Sequence, residues 1–284
     1  MKKILVAGST GYLGQFVVKE LKERGYWVRA LARDRSKLAH LEAFIDEIVV
    51  GEVTEPETLR HICDDIDVVF SSIGITKQKG KLTFKDVDYQ GNKNILDLAL
   101  KTDVKKFIYV SVYNGSKLKH LDIVKAHELF VEALKASGID YSILRPTGYF
   151  SDMGEFLKMA KRGRVFLFGK GENRMNPIHG LDLAVSCVDA ISSQDKEVNI
   201  GGPQALSYRE IGQIAFESYH KPIKITSVPI WLIKIIVRIT KVFNKHQGEL
   251  LAFFTCAGTS DAVAPSYGSI SLKEYYAQCV KEEN

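Results

Sequence analysis

Cysteine is sparse: Cys63, Cys187, Cys256 and Cys279 are the only four in 284 residues. No Cys-x-x-Cys pair occurs and no histidine stands at ligand spacing, which argues against a structural zinc site or a disulfide framework, and no metal is expected. The four read as buried thiols of a reducing compartment. No run of about eighteen uncharged apolar residues exists to cross a bilayer. The first apolar run starts near residue 3, so no leader segment is expected ahead of it and the cytoplasm is the expected location. Charge of one sign does not dominate: 39 Lys and Arg against 34 Asp and Glu leave +5. That excess is spread along the chain, and a nucleic-acid partner is not expected. Internal repeats and low-complexity linkers are absent.

What is present is a globular composition, 45% hydrophobic and 26% charged, able to bury a substantial core. Short apolar strands are expected at 4–7, 27–31, 47–50, 68–71, 107–110 and 141–144. Segments with helical spacing of apolar residues, such as 16–22, 92–100 and 124–136, lie between them. This alternation predicts an α/β, doubly wound parallel sheet covered on both faces. After Arg145-Pro146 the rhythm changes. The expected division is 1–150 for the sheet domain and 151–284 for a smaller substrate-side lobe. Residues 178–202 are expected to return to the sheet, with a helix starting near Gly180 and a strand at 197–200.

Between the first strand and the first helix lies Gly8-Ser9-Thr10-Gly11-Tyr12-Leu13-Gly14. Three glycines there allow a tight turn, close approach of a pyrophosphate to the backbone, and close helix–strand packing, while free N–H groups and the helix dipole receive the anion. All seven residues are candidate cofactor-binding positions. The Gly-x-x-Gly-x-x-Gly spacing, with Val6-Ala7 before it and Tyr12-Leu13 inside it, resembles the extended and atypical members of the short-chain dehydrogenase/reductase superfamily, which have a Rossmann fold.

Arg33 stands nineteen residues past Gly14, where a protein specific for the non-phosphorylated cofactor would place an acid. An arginine there favours a 2′-phosphate, with Arg35 or Lys37 as helpers, so the expected cofactor is NADP(H). The competing reading is a solvated basic cluster, with Asp34 holding the ribose. The resemblance implies that Glu52 and Val53 neighbour the adenine and that Ser72, Ile73 and Gly74 line the ribose and pyrophosphate. It also assigns Ser111, Pro146, Thr147 and Tyr149 to the cofactor. Glu52 departs from the family's usual Asp.

Typical members of the superfamily use a serine after the fifth strand and a Tyr-x-x-x-Lys pair on the next helix. Ser111 matches the serine. The run Ser137-Gly138-Ile139-Asp140-Tyr141-Ser142-Ile143-Leu144-Arg145-Pro146 resembles the NmrA-like branch, and registering the helix on it puts Ile123 at the tyrosine and His127 at the lysine. A missing general acid costs about 10²- to 10⁴-fold. The candidate replacements are His127, Tyr113 and Tyr149. Lys125 lies on another helix face.

Further segments resemble the divinyl chlorophyllide vinyl-reductase family and its non-photosynthetic homologues. They include Asp88-Tyr89-Gln90-Gly91-Asn92, Leu144-Arg145-Pro146-Thr147-Gly148-Tyr149-Phe150, Ile200-Gly201-Gly202-Pro203 and Ala264-Pro265-Ser266-Tyr267-Gly268. That family lacks the tyrosine but keeps the lysine, so His127 is the departure. Hydride addition to a conjugated C=C needs less help from an acid, because the accepting carbon can be protonated late. Two functions are expected to compete. One is an NADPH-dependent reductase acting on a large apolar or conjugated substrate (C=C or C=O); the other is a non-catalytic NADP(H)-binding redox sensor or assembly factor.

Residues 229–245 place Lys234, Arg238, Lys241 and Lys245 at intervals of four, three and four, a basic stripe on an apolar helix. The helix is read either as packed over the lobe or at a subunit contact, in a monomer or homodimer, or as a peripheral contact with an acidic membrane surface. Phe253-Phe254 fits either reading. In His179-Gly180-Leu181-Asp182, the aspartate is expected to be structural, explained by the helix dipole.

Overall fold

In chain order the elements are β1 (Lys3–Ala7), α1 (Tyr12–Glu23), β2 (Trp27–Ala32), β3 (Glu47–Val50), β4 (Val68–Ser71), α2 (Asn92–Ala99), β5 (Lys106–Val110), α3 (Asp122–Ala136) and β6 (Asp140–Pro146). There follow α4 (Phe150–Lys161), β7 (Val165–Phe168), β8 (Arg174–Met175), α5 (Gly180–Asp189), β9 (Glu197–Ile200) and β10 (Leu206–Ser207). The chain ends with α6 (Tyr208–Ser218), β11 (Ile225–Val228), α7 (Ile230–Phe243), α8 (Lys245–Gly258) and α9 (Leu272–Glu282). The computed structural model describes residues 1–75 and 82–283. It divides into two compact units, Met1–Arg145 with Leu183–Val198, and Pro146–Asp182 with Asn199–Asn284.

A seven-stranded sheet of order β3-β2-β1-β4-β5-β6-β9 carries the first unit. Neighbours from β3 through β6 are parallel. The last pair climbs together, with Ile143 N–H bonded to the Lys196 carbonyl and Thr147 N–H to that of Ile200. The doubly wound sheet and the returning strand at 197–200 are both present. Strands covered on both faces need continuous apolar runs, and Ile4, Leu5, Val6, Ala7, Phe107 and Tyr109 are fully buried. Strand order reverses at β1, between β2 and β4, which opens a crevice beyond the carboxyl ends of those strands.

Several connections in this unit wind differently from an α-helix, and two of them adjoin residues of the site. Residues Arg35–Phe44 form a 3₁₀ segment whose first turn is capped by Asp34, the carboxylate accepting from Ser36 N–H and Oγ–H at 2.9 and 2.7 Å. Residues Lys85–Gly91 form a π-helical turn leading into α2. Such wide turns occur mostly singly and often at functional positions. This one carries Asp88 to full burial.

The second unit has its own core of Phe150, Leu157, Val165, Ile211, Phe216 and Tyr276. β7 pairs with β11 in parallel, and β8 with β10 antiparallel. Buried Asn176 links its segments, donating to the carbonyls of Gly202 and Ala264 and accepting from Ala264 N–H. A Cβ on Gly201 would meet that side chain at 2.0 Å, so glycine is required there.

Helix α7 stops at Phe243 because Asn244 caps α8, accepting from Gln247 N–H at 3.0 Å. Lys245 is therefore the first residue of α8, and the expected single helix over 229–245 is two. α8 folds back closely: a Cβ on Gly248 would sit 2.6 Å from the Lys241 nitrogen. Lys241 turns inward to Glu249 at 2.8 Å. Of the expected four-residue basic stripe, Lys234 and Arg238 remain along α7. Asp182 has a more specific task than a dipole partner, since its Oδ2 accepts from Ser269 and Ile270 N–H at 3.1 and 3.0 Å.

Candidate functional site

The glycine-rich turn is built on backbone rather than side chains. Gly8 has φ +90°, a region where a side chain is strained, and a Cβ on it would lie 2.8 Å from Ser72 Oγ. A Cβ on Gly14 would lie 2.1 Å from the Gly8 carbonyl oxygen, so only glycine lets α1 start against β1. Gly11 is the N-cap and provides no side-chain cap to α1. The first amides of a helix have no partner within it. An anion beside them completes the turn that a capping side chain would otherwise complete.

Ser9 and Leu13 point inward. Ser9 is fully buried with its hydroxyl donating to the Leu31 carbonyl at 2.7 Å, tying the turn to β2, and Leu13 belongs to the core. The turn fits the diphosphate of a dinucleotide through its main chain. Ser72 continues from β4, its N–H bonded to the Ala7 carbonyl at 3.1 Å, and so adjoins the same turn. Ile73 N–H is held by Ser71 Oγ at 3.3 Å, and that hydroxyl donates to Asn92 at 2.5 Å.

At the far side of β1, Arg33 is half-exposed and stands 3.6 Å from Glu52 Oε2. Because Asp34 is committed to Ser36, which also holds its carboxyl below the ordinary value, it is less suited to accept ribose hydroxyls. Val53 is buried against Gly91, where a Cβ would meet it at 2.7 Å.

His127, on α3, lies between two buried groups. Tyr109 Oη is 2.6 Å from its Nδ1, and Asp88 Oδ1 is 3.3 Å from its Nε2. Tyr109 comes from β5 and is locked edge-on against Phe130 at 4.6 Å. Asp88 Oδ2 accepts from Ile75 N–H at 3.2 Å. Its Oδ1 has no well-aligned hydrogen bond among the described residues, although His127 Nε2 stands beside it. Burial pushes the Asp88 carboxyl above its ordinary value, with His127 opposing. Gly74 sits over this pair: a Cβ there would lie 3.2 Å from Asp88 Oδ1 and 3.5 Å from His127 Nε2. Gly74 is exposed and His127 only partly buried, whereas Asp88 is fully buried.

Ser111 is in a different environment. Its hydroxyl donates to Glu128 Oε1 at 3.2 Å, and Arg145 donates to Ser111 at 3.3 Å and to both Glu128 oxygens at 2.5 and 3.3 Å. All three side chains are buried. Tyr113 follows, half-buried, in the loop that Arg145 pins through the Val112 carbonyl. Lys125 is exposed and Ile123 buried. Pro146 is buried at the end of β6. In the second unit, Thr147 donates to the Asn176 carbonyl at 2.5 Å, and Tyr149 is the N-cap of α4.

Asp88, Tyr109, Glu128 and Arg145 were not singled out as site residues by sequence reasoning. A signal existed for Tyr109, since a phenol inside a buried strand calls for a polar partner. For Asp88 the only signal was its place in the Asp88-to-Asn92 run.

A family model described as NAD(P)H-binding matches residues 8–194. The divinyl chlorophyllide a 8-vinyl-reductase of Arabidopsis thaliana is 28% identical, over 98% of this chain and 77% of its own. The photosystem II assembly factor Ycf39 of Synechocystis is 24% identical, over 99% of this chain and 92% of its own. Among solved structures, Citrobacter sp. triphenylmethane reductase complexed with NADP(H) superposes with a TM-score of 0.76 at 19% identity, covering 97% of this chain and 99% of that one. Together with the parallel sheet and the glycine turn, these findings make the chain a member of the NAD(P)H-binding family.

Proposed function

We propose that this protein is an NADPH-dependent reductase of large apolar or conjugated substrates, with His127 supplying the proton. The observation that carries the reading is the setting of His127 beside the exposed Gly74, with Tyr109 Oη 2.6 Å from Nδ1 and Asp88 Oδ1 3.3 Å from Nε2. When bound, the reduced nicotinamide supplies hydride to one substrate atom. His127, as the imidazolium, gives its Nε2 proton to the other atom of the double bond and is left as the neutral imidazole, which takes a proton back from solvent. Tyr109 Oη, 2.6 Å from Nδ1, accepts the Nδ1–H of that cation and fixes the ring with Nε2 as the donating nitrogen. Asp88 Oδ1 stands 3.3 Å from that nitrogen and holds the ring from the other side. Tyr109 and Asp88 are positioning residues.

The remaining candidates take lesser parts in this reading. Gly8 to Gly14, Ser72, Ile73 and Gly74 hold the diphosphate and ribose, Glu52 and Val53 adjoin the adenine, and Arg33 takes the 2′-phosphate. Pro146, Thr147 and Tyr149 are assigned to the nicotinamide end, with Tyr113 and Tyr149 as walls for the substrate. Ser111, tied to the Glu128–Arg145 pair, holds the loop after β5 in place. Two of the relatives named above are reductases, and one was crystallised with NADP(H).

The test is NADPH oxidation across a panel of quinones, conjugated enones and triphenylmethane dyes. Turnover is expected with at least one class, and His127→Ala is expected to lose about 10²- to 10⁴-fold in kcat with NADPH affinity retained. Undiminished turnover in His127→Ala removes the histidine from the chemistry. Tight NADPH binding without turnover on any acceptor favours instead the redox-sensing or assembly role, which the Ycf39 similarity and the missing Tyr–Lys pair support.

A further inference from the structure

Helix α7 is turned inside out for a protein in water. Of its fourteen residues only Ile233 is buried. At 100° per residue, the side facing the protein is that of Ile233, Val237 and Thr240. The opposite side presents Trp231, Ile235, Ile239, Val242 and Phe243, which are 64, 47, 53, 78 and 86% exposed. They cover an arc of about 120°, the width of stripe that a surface helix normally gives to its own core.

Lys234 and Arg238 run along one edge of this arc, both exposed. Among the described residues neither has a carboxylate at ion-pair distance, and α7 itself contains no acid. The groove they share with Lys241 is lined by Val237 and Val242. A broad apolar face edged by unneutralised cations complements a surface that is apolar below and anionic at its rim.

We propose that α7 seats this protein on an anionic lipid bilayer, lying in the plane of the interface. Fourteen residues span about 21 Å, too short for a hydrocarbon core of about 30 Å. No helix among the described residues is long and apolar enough to cross a membrane. The apolar side chains enter the acyl boundary, while Lys234 and Arg238 extend along it to the headgroup phosphates. A single helix without a lipid anchor gives weak, reversible attachment. A second copy of the chain is the less fitting occupant, because the same helix in a partner copy brings no carboxylate to Lys234 and Arg238. The inference does not depend on the reductase reading, since it needs neither cofactor nor turnover.

The experiment is sedimentation of the full chain with phosphatidylcholine vesicles containing phosphatidylglycerol, against phosphatidylcholine alone. A Trp27→Phe background makes Trp231 the only tryptophan. Binding to the anionic vesicles, a blue shift of Trp231 emission and release by salt are expected. Lys234→Gln with Arg238→Gln is expected to weaken binding about thirtyfold, and Ile235→Asp with Ile239→Asp to abolish it. Both pairs are at exposed positions, so the thermal midpoint serves as the folding control. No sedimentation with anionic vesicles, or equal binding to neutral ones, overturns the proposal. So does a lipid-free dimer that Ile239→Asp dissociates.

Discussion

The guanidinium of Arg33, just after β2, stands 3.6 Å from the carboxylate of Glu52, just after β3. An exposed pair of this kind contributes about 0–1 kcal/mol. A charge-assisted bond to a phosphate contributes about 1.5–3 kcal/mol, so a 2′-phosphate arriving at Arg33 is expected to displace Glu52. Arg33→Ala is expected to weaken NADPH binding by roughly ten- to over a hundredfold and leave NADH unchanged. Glu52→Gln is expected to tighten NADPH a few-fold by removing the competitor. Fluorescence titration with both cofactors measures this, and an equal loss for NADH and NADPH in Arg33→Ala means that the arginine holds a group common to the two.

The glycine turn tolerates no side chain at its third glycine. Gly14→Ala puts a methyl 2.1 Å from a carbonyl oxygen, and is expected to cost about 1–3 kcal/mol or more and to abolish dinucleotide binding. Gly154, in α4, has nothing within 4 Å of a Cβ. Gly154→Ala is expected to stabilise by about 0.5–1 kcal/mol. Denaturant unfolding with calorimetric NADPH titration distinguishes the two cases.

Tyr109→Phe removes one buried hydroxyl and leaves His127 Nδ1 without that partner at 2.6 Å. The stability cost is expected to be about 1 kcal/mol. If Tyr109 sets the protonation of His127, the pH profile of kcat moves while KM for NADPH stays. A purely structural tyrosine changes the unfolding midpoint and leaves the pH profile in place.

Two carboxyls are expected to act on stability with opposite signs. Burial favours the neutral form of Glu197, but hydrogen bonds from Lys135 and Arg145 outweigh it and hold its carboxyl below the ordinary value. A depressed folded value stabilises above the unfolded value and is lost as pH falls through the folded one. Wild type is therefore expected to lose stability more steeply than Glu197→Gln between about pH 5 and 3. Asp88 is raised by burial, so its contribution is present below the unfolded value and fades as pH rises through the folded one. Asp88→Asn is expected to flatten that higher limb. Urea unfolding across pH resolves both limbs.

Short-range pattern was sufficient for the sheet and its mouth. Apolar runs bounded by turns identify strands because a doubly covered strand has no polar face, whereas the edge strand at 197–200, with Glu197 and Asn199 exposed, was legible from the Gly201-Gly202-Pro203 turn that follows it. The glycine turn was legible because positive φ and sub-3 Å approaches leave a residue-type signature. Helix α7 was only half legible. Its apolar residues run nearly all round, so periodicity could not say which face meets the protein, and Asn244 ended the helix before Lys245 could join the stripe.

What the linear order of residues determined by itself is the parallel α/β frame, the dinucleotide turn and the basic residue beside it, because each depends on neighbours within a few positions. Tertiary structure alone decided that Asp88, Tyr109 and His127 converge under Gly74, and that Asp182 holds backbone 87 and 88 residues away. It also decided that Ser111 is tied to a buried ion pair. These meetings depend on how distant segments are brought together by a shared core, and no local spacing encodes a distance between side chains so far apart in the chain.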